Sequence, residues 1–304
     1  MRILVTGGAG FIGGHLVRAL VREGRGFVTV LDNLHRGRWD TLNDVRGQVR
    51  FVEGDILNER LVREVSRGVH VIFHLAAQSR VMTAAADSGY TSSVNANGTR
   101  VVLEVAAAEG VGRVVFTSSR EVYGDPRELP VSETAPIAPK NVYGISKAEG
   151  EKHCRALANR INTSVVRLAN VYGPGDRDRV LPLFLEAALS NRPLILYGGQ
   201  QVIDFVWVKT VVDALICCGF GPAIDGPVNI GSGKGTTVAE LAQRVIAATG
   251  SGSTVEIAPT REIEVSKFVA DIGRAKEIFG LTPPEDPLFQ LEAVAAAARE
   301  ITGR

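Results

Sequence analysis

Apolar and polar positions alternate along this chain in two registers. Short, nearly unbroken apolar runs at 2–6, 27–32, 49–53, 70–75, 112–117 and 163–168 read as strands. Between them, stretches near 11–23, 58–66, 90–109 and 141–160 carry helical spacing. Strands that alternate with helices are joined by crossovers and therefore run parallel. Runs such as Val69-His70-Val71-Ile72-Phe73 suit strands covered on both faces. The pattern predicts an α/β fold, a doubly wound parallel sheet with ligands at the carboxyl ends of its strands.

Beyond residue 170 the pattern loosens. Gly173-Pro174-Gly175 and Pro182 punctuate a loop and a helix near 180–190, and a short strand at 194–197 precedes the turn Gly198-Gly199. Residues 209–219 and 237–249 read as helices, the second capped by Thr236 or Thr237, and the Ala-rich tail 286–302 is helical. We expect the doubly wound domain over 1–170, to which a segment near 201–225 returns, and a smaller interwoven lobe over 171–304.

The first fifteen residues, MRILVTGGAGFIGGH, place Gly7, Gly10 and Gly13 between a strand and a helix. Glycines let the backbone turn sharply and a pyrophosphate approach closely, and the helix N-terminus offers free N–H groups. Asp32 closes the second strand at the distance where an acid meets the adenosine ribose. A carboxylate there disfavours a 2′-phosphate, so NAD is expected over NADP. Asp32-Asn33 also reads as a turn, and the two readings are compatible. Asp55, after the third strand, is a candidate for the adenine edge.

Tyr143 and Lys147 stand four apart in a helical stretch and so share a face. An adjacent ammonium is expected to bring the phenol into range as a general base. The strand end Thr117-Ser118-Ser119 points its serines toward the crevice or caps the next turn.

Composition narrows the function. Of 304 residues, 45% are hydrophobic and 22% charged, ordinary for a globular protein. The net charge of +1 argues against nucleic acid, and the run HRGR at 35–38 reads as a solvated loop. Three cysteines form no C-x-x-C pair; Cys217 and Cys218 read as core filling, and the sparse count fits a reducing cytoplasm. No transmembrane span, signal peptide or metal site is expected. His74 ends a strand and is expected to satisfy a backbone bond rather than bind metal. Gly231-Ser232-Gly233-Lys234-Gly235-Thr236 fails the P-loop spacing and reads as a turn between strand and helix. G-x-S-x-G is absent.

The chain resembles the extended short-chain dehydrogenase/reductases, the nucleotide-sugar epimerase/dehydratase group. The resemblance rests on TGGAGFIG (6–13), LDNL (31–34), GDI (54–56), HLAAQS (74–79), NANGT (95–99), SSREVYG (118–124), YGISK (143–147), RLANVYGPG (167–175) and NIGSG (229–233). It implies a Rossmann fold, NAD, a nucleotide-sugar substrate such as a UDP-hexose, and a homodimer formed through a four-helix bundle. It implies that Gly7, Gly10, Phe11, Ile12 and Gly13 hold the pyrophosphate, Asp32 and Asn33 the ribose, and Asp55 and Ile56 the adenine. Leu75, Ala76, Ala77, Asn95 and Thr117 would line the cofactor, with Lys147 and Tyr143 at its nicotinamide end. Ser119, Tyr143 and Lys147 would be the catalytic trio, Tyr143 taking the sugar 4-hydroxyl proton. Ser118, Ser119, Arg120, Asn170 and Arg261 would meet the substrate.

Two departures matter. Glu121 stands where simple 4-epimerases of this family carry a small or neutral residue; in related dehydratases it is the C5 base, and Glu121 to Pro126 also matches UDP-glucuronate decarboxylases. The plain alternative for Glu121 is a turn acid paired with Arg120 or Lys147. Ile203 replaces an arginine that pairs with the substrate diphosphate in most relatives, with Arg120 and Arg177 as candidates to compensate. The expected activity is an NAD-dependent nucleotide-sugar 4-epimerase. The alternatives are a 4,6- or 5,6-dehydratase using Glu121, and a non-catalytic NAD-binding regulator, against which the intact trio counts.

Overall fold

The computed structural model describes residues 1–302. Six strands form where the apolar runs fall: β1 Arg2–Thr6, β2 Phe27–Asp32, β3 Val49–Glu53, β4 Val71–His74, β5 Arg113–Ser119 and β6 Asn162–Leu168. The shorter strands β7 Asn170–Tyr172, β8 Leu194–Tyr197, β9 Val202–Trp207, β10 Pro227–Ile230, β11 Gly235–Thr237 and β12 Val255–Ala258 follow. The helices in the first half are α1 Phe11–Arg22, α2 Glu59–Ser66, α3 Val81–Ala86, α4 Ser88–Ser92, α5 Thr99–Ala108 and α6 Val142–Ala156. In the second half they are α7 Val180–Leu189, α8 Val208–Phe220, α9 Val238–Thr249, α10 Gly273–Phe279 and α11 Leu291–Thr302.

The main sheet has seven parallel strands in the order β10-β6-β5-β4-β1-β2-β3. Its apolar runs serve two faces at once. In β1, Ile3 and Val5 join one buried cluster with Leu16, Leu20 and Leu215, while Leu4 joins another with Ile72, Val102 and Phe116. In β4, Val71 and Phe73 face the first cluster and Ile72 the second. This alternation is the two-residue period of a strand covered by helices on both sides. From β1 the chain winds outward through β2 and β3, then returns beside β1 as β4 and winds the other way. The reversal opens a crevice at the carboxyl ends of β1 and β4.

The second half is interwoven with this sheet. β7, β9 and β11 form a three-stranded sheet, and β8 pairs in parallel with β12. With α7, α9 and α11 they enclose a third cluster around Phe184, Leu196, Phe205 and Leu241. α8 returns to pack beside α1 on the main sheet, and β10 pairs with β6 as its outer strand. Thr237 is the cap of α9, its hydroxyl accepting from the Glu240 N–H.

Several local expectations change. The stretch expected as one helix over 90–109 contains a π turn, Ser93–Gly98, between α4 and α5, and the tail helix starts at Leu291 rather than near 286. His74 bonds two side chains rather than backbone: Nδ1 meets the Thr6 hydroxyl at 2.7 Å and Nε2 the Thr99 hydroxyl at 2.9 Å. Burial in that sleeve pushes its pKa down to about 3, so it is neutral. Cys218 is core, but Cys217 is exposed because helical spacing turns it outward. The glycine turn 231–235 joins β10 to β11, and Ser232 and Gly233 donate there to the buried carboxylate of Asp204.

Candidate active site

The carboxyl ends of β1, β2, β4 and β5 open into one cavity of about 1230 Å³, shared with the second-half lobe. A pocket for one small ligand holds about 300–1,000 Å³, so this one has room for two ligands. Every candidate site residue lines it except Asn95.

At one end lies the glycine turn. Gly7 has φ +71°, and a β-carbon there would stand 2.7 Å from the Ala76 nitrogen. A β-carbon on Gly13 would stand 2.1 Å from the Gly7 carbonyl oxygen. The turn therefore brings the loop after β4 against the start of α1, which opens on Gly10 with no capping side chain. Its first N–H groups are left for a ligand.

Asp32 is 7% exposed, and its two carboxylate oxygens accept from the Ala9 and Leu34 N–H groups, each at 2.9 Å. Burial raises its pKa and the two N–H bonds oppose the rise. The turn and ribose readings of Asp32 coexist, since these bonds fix the carboxylate at the cavity wall. Asn33 donates to Asp55 at 2.8 Å, tying the ends of β2 and β3 together. Ile56 lies beside Asp55 and packs on Gly98.

Asn95, in the π turn, acts one layer back. It accepts from the Gln78 N–H at 2.7 Å and donates to the Gln78 carbonyl and the Ser146 hydroxyl. It thus joins the loop after β4 to α6.

Asn141 caps α6 by accepting from the Gly144 N–H at 2.8 Å, which fixes the face on which Tyr143 and Lys147 stand. Lys147 Nζ donates to the Thr117 carbonyl at 2.8 Å. Burial pulls its pKa down to about 8. Tyr143 behaves differently from the sequence expectation. Burial raises its phenol above the ordinary value, and the hydrogen bond with Ser119 and the charge of Arg179 oppose that rise. Lys147 Nζ lies 6.0 Å from the Tyr143 ring centroid, and burial outweighs the groups that favour the phenolate.

Strand alternation separates the serines. Ser119 stands beside Tyr143, whereas the Ser118 hydroxyl donates to the buried carboxylate of Glu151 at 2.6 Å. Glu151 forms a buried pair with Arg167 at 2.7 Å. Glu121 is paired with Arg120 at 3.0 Å, as the turn-acid reading allowed, and its other oxygen accepts from Asn141 at 2.7 Å. Ile203 is 9% exposed and gives the far wall an apolar surface. Arg261 stacks over Tyr197, 3.5 Å from the ring centroid, on the same wall.

Sequence reasoning missed Gln78, Arg36, Arg80, Asp176 and Arg179 at this cavity. The alternating Asp176-Arg177-Asp178-Arg179 after Gly-Pro-Gly is a signal for two of them, Asp176 and Arg179. The run HRGR is also corrected: Arg36 lines the cavity and pairs with Asp178. Among the described residues, Gln78 Oε1, Arg120 Nη1, Asn170 Oδ1 and Gln201 Oε1 are buried without partners, all on side chains that line the cavity. No metal-ligand cluster and no helix long and apolar enough to cross a membrane occur among the described residues. The glycine cradle, the fixed carboxylate of Asp32 and these unpartnered atoms fit a dinucleotide with a second polar ligand beside it.

A doubly wound sheet with a dinucleotide cradle and a Ser-Tyr-Lys constellation facing a second lobe defines the nicotinamide-dependent short-chain class. Within that class, the chain belongs to the NAD dependent epimerase/dehydratase family, whose model matches residues 3–231. A UDP-glucose 4-epimerase of Mycolicibacterium smegmatis is 37% identical over 295 residues, covering 93% of this chain and 94% of that protein. The structure of a Thermotoga maritima UDP-glucose 4-epimerase with UDP-glucose superposes with a TM-score of 0.94 at 32% identity, covering 99% of this chain and 100% of that one. A Streptomyces venezuelae dTDP-glucose 4,6-dehydratase with NAD bound gives 0.94 at 32% identity, over 100% of this chain and 98% of that one.

Proposed function

We propose that this chain is an NAD-dependent nucleotide-sugar 4-epimerase acting on a UDP-hexose. The observation that carries the reading is the meeting of Ser119, Tyr143 and Lys147 in the cavity that holds Asp32 and the glycine cradle, while both oxygens of Glu121 are engaged. The glycine turn and the N-terminus of α1 would hold the pyrophosphate, Asp32 and Asn33 the adenosine ribose, and Lys147 the nicotinamide ribose. When bound, NAD supplies a reversible two-electron oxidation of the sugar's C4 alcohol.

Tyr143 takes the proton of the C4 hydroxyl onto its phenolic oxygen and returns it after the ketosugar has turned over. Burial makes its phenol costly to ionise, so the reaction relies on the surrounding cations. Ser119 orients the reacting oxygen. Asn170, Arg261 and the apolar wall at Ile203 hold the nucleotide end while the sugar turns.

A dehydratase is the second reading, because Glu121 lines the cavity and the 4,6-dehydratase superposes as well as the epimerase does. The deciding experiment incubates the protein with UDP-glucose, UDP-galactose, their N-acetyl and uronic forms, and dTDP- and GDP-hexoses. A product inverted at C4 by NMR supports the epimerase; a 4-keto-6-deoxy or unsaturated product replaces it with the dehydratase. No product from any sugar, with NAD bound, leaves the regulator. The reading carries with it a cytoplasmic homodimer, which light scattering of the purified protein tests by mass.

A further inference from the structure

We propose that Arg36 and Arg80 form a phosphate-binding roof over the cofactor cleft and take the pyrophosphate of the dinucleotide from the side opposite the glycine turn. This rests on the NAD site described above and adds two side chains to a contact otherwise made by backbone.

The roof is built from three separated pieces of chain. Arg36 follows β2 and Arg80 follows β4, on either side of the glycine turn that follows β1. The strap 173–179 crosses above that turn. Its Pro174 carbonyl meets His15 Nε2 of α1 at 2.8 Å. Its Asp178 carboxylate lies 3.5 Å from Arg36 and 3.8 Å from Arg80, so one carboxylate holds both guanidinium groups at the cavity. Arg179 closes the same group, its guanidinium 5.9 Å from the ring of Phe11, the first residue of α1. The cluster therefore stands over the N-terminus of α1, where a pyrophosphate is expected to rest.

Charge and access both favour an anion there. Three guanidinium groups, of Arg36, Arg80 and Arg179, are gathered with two carboxylates, of Asp176 and Asp178. Burial and the neighbouring Arg80 pull the pKa of Arg36 below its usual value. The Arg36 and Arg80 side chains are 29% and 31% exposed, so both can still reach a ligand. A guanidinium binds phosphate oxygens through paired N–H donors, which a lysine does not reproduce.

A diphosphate also occurs in the nucleotide sugar, so the test separates the two sources. NAD, ADP-ribose, adenosine and UDP are titrated by calorimetry into wild type, Arg36→Gln, Arg80→Gln, the double variant and the double Lys variant. Each single Gln change should weaken NAD and ADP-ribose about tenfold and the double change about 100-fold. Adenosine and UDP should bind as in wild type, and the double Lys variant should recover part of the loss. NAD bound by the double Gln variant with wild-type affinity overturns the roof, as does a loss confined to UDP. A loss shared by adenosine, or a lowered melting temperature that the Lys variant does not restore, marks Arg36 and Arg80 as structural and also overturns it. Wild type that binds no NAD overturns the cofactor reading instead.

Discussion

Asn141 holds Glu121: its Nδ2 donates to Glu121 Oε2 at 2.7 Å while its Oδ1 caps α6. With Arg120 on the other oxygen at 3.0 Å, the carboxylate is spent on fixing the wall beneath Tyr143. Glu121→Gln should therefore keep C4 inversion within about tenfold of wild type. Wild type should place no solvent deuterium at C5 of the recovered sugar. Deuterium at C5 that disappears in Glu121→Gln would make Glu121 a base and the protein a dehydratase. Glu121→Ala should lower stability by about 3 kcal/mol in a denaturant titration, since it strands the largely buried Arg120.

Tyr143 and Lys147 act on the pH profile in opposite senses. The phenol lies above its ordinary value, so its ionised fraction grows as pH rises. Lys147, pulled down to about 8, loses the charge that favours the phenolate as pH passes that value. kcat/KM should rise with pH up to about 8 and level off above it, where the growing phenolate fraction and the shrinking ammonium fraction cancel. Tyr143→Phe should lower turnover at least about 1,000-fold and retain NAD by absorbance after gel filtration. Activity near the wild-type level in that variant removes Tyr143 from the chemistry.

The sheet was legible because parallel strands buried on both faces leave continuous apolar runs, and β1 to β6 fall on them. The cofactor end was legible because its glycines and Asp32 lie within one strand-turn-helix-strand unit. β7 and β11, three residues each, are too short to carry a period. The partner of Glu121 was half legible: Arg120 is its neighbour in sequence, but Asn141 reaches it only because α6 packs under the turn. Arg36 and Asp178 stand 142 residues apart, so their pairing depends on where the strap crosses. The phenol of Tyr143 was misjudged because spacing shows the nearby ammonium and not the burial that outweighs it.

Asp176 carries a cost that pH reveals. Burial pushes its carboxyl from the ordinary 3.8 up to about 6, against the pull of Arg179. Between those values the folded chain binds more protons than the unfolded one, so stability falls as pH rises through that window. Above it, the buried charge costs about 1–3 kcal/mol. Asp176→Asn should melt higher than wild type at neutral pH, and the gap should close below pH 3.8. A variant that melts lower than wild type at neutral pH would show that the pair with Arg179 outweighs burial.

Arg261 faces the cavity from the wall where Ile203 offers no charge, its guanidinium stacked on Tyr197 and 3.4 Å from Glu264. Stacking fixes its plane, so little order is lost when a diphosphate arrives. A contact made alike in ground and transition states raises KM when removed and leaves kcat less affected. Arg261→Ala should raise KM for the nucleotide sugar about tenfold, weaken UDP by a similar factor, and change kcat much less. Ile203→Arg would add a second cation to this wall and should offset part of that loss in the double variant. Equal losses in kcat and kcat/KM, with UDP binding intact, would move Arg261 from the nucleotide to the reacting sugar.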